Sequence, residues 1–175
     1  VYFSKDIIRM TQNFRSPFLQ SAQELIYQDK LDRANHILLS MDNSIPINTI
    51  PILHSDYQLT VARLFAMAGN KDKFNFYMQD LMNREDLTIQ DHYDISSVLL
   101  MDSHTINEGE QYIKKMIQNY PNRWEFSRML IVYLSQSGRS QEAIDVIEKW
   151  ISLNDNFSQP EAYREAKGWL DLLKN

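Results

Sequence analysis

The sequence contains no cysteine, so disulfide bonds and thiolate metal sites are excluded, and the redox compartment stays undetermined. Glycine and proline are scarce, at 4 and 5 of 175 residues, which favours long continuous helices over a fold of strands and turns. The longest unbroken apolar run, residues 129–134, is far shorter than the roughly 20 residues that a membrane-spanning helix needs. These absences predict an all-α chain with no membrane insertion by this segment.

The sequence also lacks any run of lysine or arginine. It carries 18 basic and 23 acidic residues, a formal net charge of −5. Nucleic acid and anionic membrane surfaces are bound through clustered basic residues. We therefore predict that neither is a partner.

Apolar residues recur at helical spacing in pairs of segments that are separated by turn residues. The clearest pair lies between residues 124 and 155, with its turn at Gly138. The equivalent turns of all four pairs are Asp29, Gly69, His104 and Gly138. Successive pairs are therefore offset by 40, 35 and 34 residues, and the larger first offset predicts a longer connector before the second pair.

Two further patterns follow this register. Five residues after each turn, where two helices are expected to cross closely, stand Ala34, Phe74, Gly109 and Ala143. A helix terminator, proline or aspartate, follows at Pro46, Asp86, Pro121 and Asp155. Capping boxes at helix starts are predicted for Thr105 with Glu108, Asn122 with Glu125, and Ser158 with Glu161.

The period, the small residue on the second helix and the terminal proline or aspartate resemble tetratricopeptide (TPR) repeats over residues 15–155. The resemblance implies an all-α fold, an α-α superhelix of about four TPR-like helical hairpins with a C-terminal capping helix. We place the units near 15–48, 55–88, 90–123 and 124–157, and the cap helix at 159–174. Residues 1–14 are a lead-in segment, either a short helix or an extended arm. Phe74 departs from the small-residue pattern of the family.

A narrower resemblance lies in the lead-in. The residues 9–15, RMTQNFR, resemble the start of the soluble C-terminal tail of large bacterial multi-spanning membrane proteins related to protein O-mannosyltransferases. That resemblance implies a periplasmic tail of a parent protein whose membrane region holds the glycosyltransferase-like chemistry. The chain begins at Val1 and shows no signal-peptide pattern, so we expect it to be a piece of a longer protein.

No residue pattern in the chain points to an enzyme. The four histidines, His36, His54, His92 and His104, include no pair at the spacing that places two metal ligands on one helical face. Acidic pairs such as Glu24 with Asp29, or Asp91 with Asp94, are typical of solvated helix faces. A glycosylation pattern at 156–158 coincides with the predicted capping Ser158. We predict no catalytic, cofactor or metal site.

The repeat register predicts a binding groove on the concave surface, which the first helix of each unit lines. Its predicted residues are Gln23, Tyr27, Leu59, Arg63, Met67, Asp94, Val98, Met101, Arg128 and Val132. The lining combines apolar area with two arginines that can hold a carboxylate or a backbone carbonyl. The lysine and asparagine clamp of some TPR proteins is absent, because Leu19 and Gln23 occupy the clamp positions of the first unit.

These patterns predict a noncatalytic protein–protein interaction module that binds a protein or peptide ligand in the groove. One alternative is an accessory domain of a membrane glycosyltransferase that contacts glycan or acceptor. That reading requires exposed aromatic rings, with Trp124 or Tyr93 joining Tyr27. The other alternative is a self-association module, in which end surfaces pack against a second copy.

Overall fold

The computed structural model of the chain describes residues 5–101 and 104–174, and over these residues the secondary structure is entirely helical. In chain order the helices are α1 (Lys5–Tyr27), α2 (Leu31–Ser44), α3 (Ser55–Met67), α4 (Lys71–Met82), α5 (Ile89–Met101), α6 (Ile106–Asn119), α7 (Trp124–Gln136), α8 (Ser140–Leu153) and α9 (Pro160–Lys174). The predicted all-α class of successive helical hairpins followed by a C-terminal helix is confirmed. The chain divides into two compact units, with the boundary between Asp91 and His92.

The predicted lead-in lies mostly inside the first helix. Because α1 begins at Lys5, residues 5–14 are helical and continuous with the first predicted repeat helix. The predicted extended arm is therefore not seen over these residues. Residues 1–4 of the lead-in lie outside the described residues.

In the first unit, α1 packs against α2, and α3 packs against α4, α1 and α2. Phe65 of α3 and Tyr77 of α4 are fully buried and stack with their ring centroids 5.5 Å apart. The Tyr77 hydroxyl donates to Asp42 of α2 at 2.6 Å, and Lys73 forms an ion pair with the same carboxylate. This polar group ties α4 to the preceding hairpin beside the apolar core.

Three of the predicted turns share one hydrogen-bond pattern. Asp29, Gly69 and Gly138 adopt left-handed conformations, with φ of 56°, 80° and 73°. In each, the amide of the left-handed residue bonds three residues back and the next amide bonds five residues back, which is the Schellman motif. The register aligned from the sequence is therefore present in the backbone. The fourth predicted turn, at His104, follows residues 102–103, which are outside the described residues.

The predicted close helix crossing is tightest at Gly109. A Cβ atom at this position would lie 2.9 Å from the backbone of Leu99 and Leu100, so α6 approaches α5 more closely than alanine permits. Ala34 and Ala143, at the equivalent positions, are fully buried. The larger Phe74 is also buried, at the start of α4.

The long connector between α2 and α3 is held by two arginines from opposite ends of the first unit. Arg15 of α1 is fully buried and donates to the carbonyls of Ile45 at 3.1 Å and Ile50 at 2.5 Å. Arg84, after α4, donates to the carbonyls of Ile52 at 3.0 Å and Leu53 at 2.7 Å. These donors supply partners to backbone carbonyls that no helix can satisfy.

The predicted capping boxes are wrong. Thr105 precedes α6, but its hydroxyl donates to the carbonyl of Leu99 at 2.9 Å instead of capping the helix. The N-cap of α7 is Arg123, one residue after the predicted Asn122, and it makes no side-chain cap. Ser158 bonds to Asp155, and α9 begins later, at Pro160. Proline favours the first helical position, which moves the start of α9 beyond the predicted cap.

A capping box that the sequence analysis missed opens α5. The Thr88 amide donates to the Asp91 carboxylate at 2.7 Å, and the Asp91 amide donates to the Thr88 hydroxyl at 3.2 Å. Asp91 also accepts the hydroxyl of Ser55 at 2.5 Å. This member of the predicted acidic pair therefore has a structural role at the start of a helix.

In the second unit, α7 packs against α6 and α8, and α9 packs against α8. The buried side chains of this core include Ile95, Leu99, Ile113, Phe126, Leu134 and Ile147. Arg139, the residue before α8, donates two hydrogen bonds to Glu110 of α6, at 2.6 and 2.9 Å. This fork links the start of α8 to the N-terminal part of α6.

Candidate binding surfaces

A catalytic or metal centre would bring several titratable side chains together. Within residues 5–101 and 104–174, no three histidine, aspartate or glutamate side chains are grouped so that they could hold a metal ion. His92 pairs with the hydroxyl of Tyr112 at 2.7 Å, whereas His36 and His54 are exposed on other elements. Among the same described helices, none has the length and apolarity to cross a membrane.

Four of the predicted groove residues are exposed on two contacting helices of the first unit, and the set is here called the α1–α3 face. It consists of Gln23 and Tyr27 on α1, and Arg63 and Met67 on α3. Each pair is four residues apart, so its members lie on one side of their helix. α1 and α3 contact each other, and Tyr27 and Met67 are the last residues of the two helices.

The α1–α3 face leaves large apolar side chains in water. Tyr27 is 76% exposed and Met67 is 52% exposed. Arg63 is also exposed, and no described residue forms an ion pair with it. The fifth predicted residue of this unit, Leu59, is buried in the core and presents no surface to a ligand. The face therefore offers two apolar groups and one available guanidinium.

The predicted groove residues of the second unit are placed differently. Val98 is buried, and Asp94 and Val132 are half-buried. Asp94 also interacts with another residue of the chain. Met101, at the end of α5, is exposed. The second unit therefore does not repeat the exposed face of the first.

Arg128 is engaged by the C-terminal helix. Glu165 of α9 accepts from Arg128 Nε at 2.6 Å and from Trp124 Nε1 at 2.8 Å. Trp124 is buried, and Tyr93 is half-buried with its ring 6.3 Å from Phe126. The two aromatic residues that a glycan platform required are therefore not open rings on the surface.

An apolar groove that the sequence analysis did not predict lies between α6, α7 and α8 of the second unit. The cavity measures about 450 Å³ and is here called the α6–α8 groove. Its lining comprises Lys114, Ile117, Gln118, Pro121, Ser127, Leu130, Val146, Lys149, Trp150 and Leu153. On α7 it uses Ser127 and Leu130, whereas the predicted groove used Arg128 and Val132. Sequence reasoning considered only the first helix of each hairpin and so missed a groove built mainly by second helices.

The polar rim of the α6–α8 groove is cationic. Lys114 lies 2.5 Å from Glu110, which is already held by the Arg139 fork. Arg139, and to a lesser extent Lys114, lowers the pKa of Glu110 from its ordinary value to about 2. Lys149 forms no ion pair with a described residue, and its neighbour Glu148 pairs with Lys174 at 2.7 Å. The groove therefore has a positive charge that the described chain leaves uncompensated.

A second cavity, of about 350 Å³, lies in the first unit beside the long connector. Its polar groups already bond to one another: Gln58 donates to Asp80 at 2.8 Å, and Arg84 pairs with Asp86 at 2.7 Å. The cavity is therefore part of the structure that holds the connector in place.

Comparisons with known proteins identify no family for the chain. No protein-family model, curated protein or solved structure matches it.

Proposed function

We propose that the chain is a noncatalytic protein–protein interaction module of TPR-like hairpins. The α1–α3 face is the observation that carries this proposal. Tyr27 and Met67 are exposed, and so is Arg63, a cation with no ion-pair partner among the described residues. Tyrosine and arginine are enriched among the residues that dominate protein interfaces, and methionine adapts to varied apolar partners.

The composition of the face defines the partner that it fits. Tyr27 and Met67 are large enough to cover apolar side chains, and the Arg63 guanidinium can hold a carboxylate through two parallel hydrogen bonds. The partner is therefore a protein segment with an apolar side chain and a neighbouring acidic group. A structural role for these residues is not favoured, because their side chains are exposed and not packed in the core.

The glycan-binding alternative has less support. Sugar recognition of the kind proposed from the sequence needs aromatic rings that are open to solvent. Trp124 is buried against Trp150, with ring centroids 4.8 Å apart, and its indole N–H is used by Glu165. The protein ligand is therefore the better candidate.

The proposed location and parent follow from sequence resemblance alone. We place the module on the periplasmic side of a bacterial membrane, as the soluble tail of a larger membrane protein related to protein O-mannosyltransferases. Arg15, the last residue of the segment that carries this resemblance, is fully buried and holds the connector. Its presence is thus also explained by the fold of this chain.

Site-specific photocrosslinking in the native host tests the proposed function. A benzophenone side chain placed at Tyr27 or Met67 is expected to capture one partner protein, and Arg63→Glu is expected to abolish the capture. The control position is Gln79, which is exposed on α4. A matching exchange of the partner's acidic residue for arginine is expected to restore capture by Arg63→Glu.

Two results would overturn the proposal. Equal capture from Gln79 and from the α1–α3 face would show nonspecific contact. Capture of a second copy of this chain, together with a concentration-dependent mass in light scattering, would favour self-association instead.

A further inference from the structure

The α6–α8 groove combines an apolar floor with donors around it. Ile117, Leu130, Val146 and Leu153 supply the floor and walls, and Leu153 is 58% exposed. Removing such surface from water stabilises a complex by about 25 cal/mol per Å². Binding of a ligand that covers these apolar side chains is therefore favourable in free energy.

The charged groups of the groove are of one sign. Lys114 and Lys149 are its only ionisable lining residues among the described part of the chain. Lys149 has no acidic partner there, since Glu148 is paired with Lys174 and Glu110 is shared by Lys114 and Arg139. A ligand that brings carboxylates to this rim meets complementary charge, whereas a basic ligand meets repulsion.

The remaining polar groups of the lining are neutral. Gln118 contributes an amide, and the indole Nε1 of Trp150 is buried without a hydrogen-bond partner. Along α8 the lining runs from Val146 to Leu153, which is about 10 Å, or two helical turns. A volume of about 450 Å³ over that length accommodates a short row of apolar side chains.

We propose that the α6–α8 groove binds an acidic amphipathic peptide segment of a partner protein. The apolar side chains of the segment lie on Ile117, Val146 and Leu153, and its carboxylates lie at Lys149 and Lys114. This site is separate from the α1–α3 face, uses other residues, and stands or fails independently of it.

Fluorescence anisotropy with defined peptides tests the proposal on the full chain. The probe is a labelled 14-residue peptide with leucine at helical i, i+3, i+4 and i+7 spacing and glutamate at most other positions. One matched peptide carries lysine in place of every glutamate, and another carries serine in place of every leucine. We expect the acidic amphipathic peptide to bind at least tenfold more tightly than either matched peptide.

Two groove variants and two controls locate the binding. Lys149→Glu is expected to weaken the acidic peptide roughly fivefold, as for loss of one or two exposed ion pairs, and Leu153→Asp to weaken it more. The controls are Lys115→Glu, which changes net charge equally outside the lining, and Leu172→Asp, an exposed position on α9. Circular dichroism confirms that each variant is folded.

Several outcomes would overturn the assignment. These are no binding of the acidic peptide, equal binding of the lysine peptide, or equal losses from Lys149→Glu and Lys115→Glu. Binding of dodecanoate that depends on Lys149, with no peptide binding, would show that the groove takes an acyl carboxylate instead. None of these results bears on Tyr27 or Arg63, so failure here leaves the proposed function untouched.

Discussion

Substitution of Gly109 by alanine sets two effects of known sign against each other. Alanine in a helix interior is more favourable than glycine by about 1 kcal/mol. At Gly109, however, the new Cβ would lie 2.9 Å from three atoms of Leu99 and Leu100, two of them in the backbone. Backbone atoms cannot rotate away as a flexible side chain can, so α6 and α5 must separate.

The size of the expected effect follows from that geometry. Overpacking of a well-packed core costs about 1–3 kcal/mol, and contact with backbone places this site in the upper part of that range. After the gain in helix propensity, Gly109→Ala should lower the free energy of unfolding by about 1–2 kcal/mol. The substitution should therefore destabilise the chain although it improves the helix locally.

Gly168 offers a matched control for the same substitution. It lies inside α9, and a Cβ there would have no atom within 4 Å. Gly168→Ala therefore keeps only the propensity effect and should raise the free energy of unfolding by about 1 kcal/mol, or the Tm by about 2–4 °C. The two substitutions are predicted to have opposite signs.

Urea unfolding followed by circular dichroism at 222 nm measures both variants, with stability obtained by linear extrapolation. Equal slopes in the wild type and variants show that the comparison concerns stability and not compactness. A Gly109→Ala variant as stable as the wild type would refute the close crossing of α5 and α6. Destabilisation by Gly168→Ala would refute the assumption that its surroundings are open.

Three further predictions concern charge and backbone conformation. Because the pKa of Glu110 is lowered to about 2, its ion pairs stabilise the fold above about pH 4.5 and are lost as the pH falls toward 2. Glu110→Gln should therefore lower the free energy of unfolding by about 1–2 kcal/mol at pH 7, after allowance for solvent around Arg139. In urea titrations at pH 2.5, the difference in free energy of unfolding between wild type and Glu110→Gln should be smaller than at pH 7. Asp29→Gly should stabilise by about 0.5–1 kcal/mol because φ is 56°, whereas Gly69→Ala should destabilise by about 1 kcal/mol in the same assay. Arg84→Met should speed hydrogen exchange at amides of the connector, residues 45–54, and leave the exchange of α8 and α9 unchanged; uniform acceleration would contradict a local role.

The turns and the hairpins were predictable because their physics is local. A left-handed residue after each first helix, at Asp29, Gly69 and Gly138, leaves a short signal in the sequence and fixes the pairing of its neighbours. The close crossing at Gly109 was predictable for the same reason, since a small residue stands at a fixed distance from the turn. These features required no knowledge of contacts between distant segments.

The capping boxes failed because side-chain partners compete. Thr105 had the right residue type and spacing, but the carbonyl of Leu99 was available to its hydroxyl after the chain folded. The Thr88–Asp91 box does not match the usual pattern, because the shorter aspartate stands where glutamate or glutamine is typical. Spacing alone does not decide which of several nearby acceptors a hydroxyl will use.

The candidate surfaces were predicted only in part, because exposure depends on tertiary packing. Tyr27 and Met67, which the register placed in the groove, are exposed, but the register could not show that Leu59 is buried. It could not show that Arg128 is met by Glu165 from a helix near the end of the chain. The α6–α8 groove arises where three helices leave a gap, and no single segment encodes that gap.

The long connector changes how the first two hairpins respond to unfolding. An insertion between repeats normally weakens the coupling on which repeat arrays rely, since each repeat is stabilised by its neighbours. Here Arg15 belongs to the first hairpin and Arg84 follows the second, and both hold carbonyls of the same insertion. Unfolding of either hairpin removes one of the two arginines and leaves its connector carbonyls without a partner, next to those that the other arginine holds. Unfolding of one hairpin should therefore destabilise the other through the connector. The helices α1–α4 should accordingly unfold as one cooperative unit, which the connector between α2 and α3 holds together.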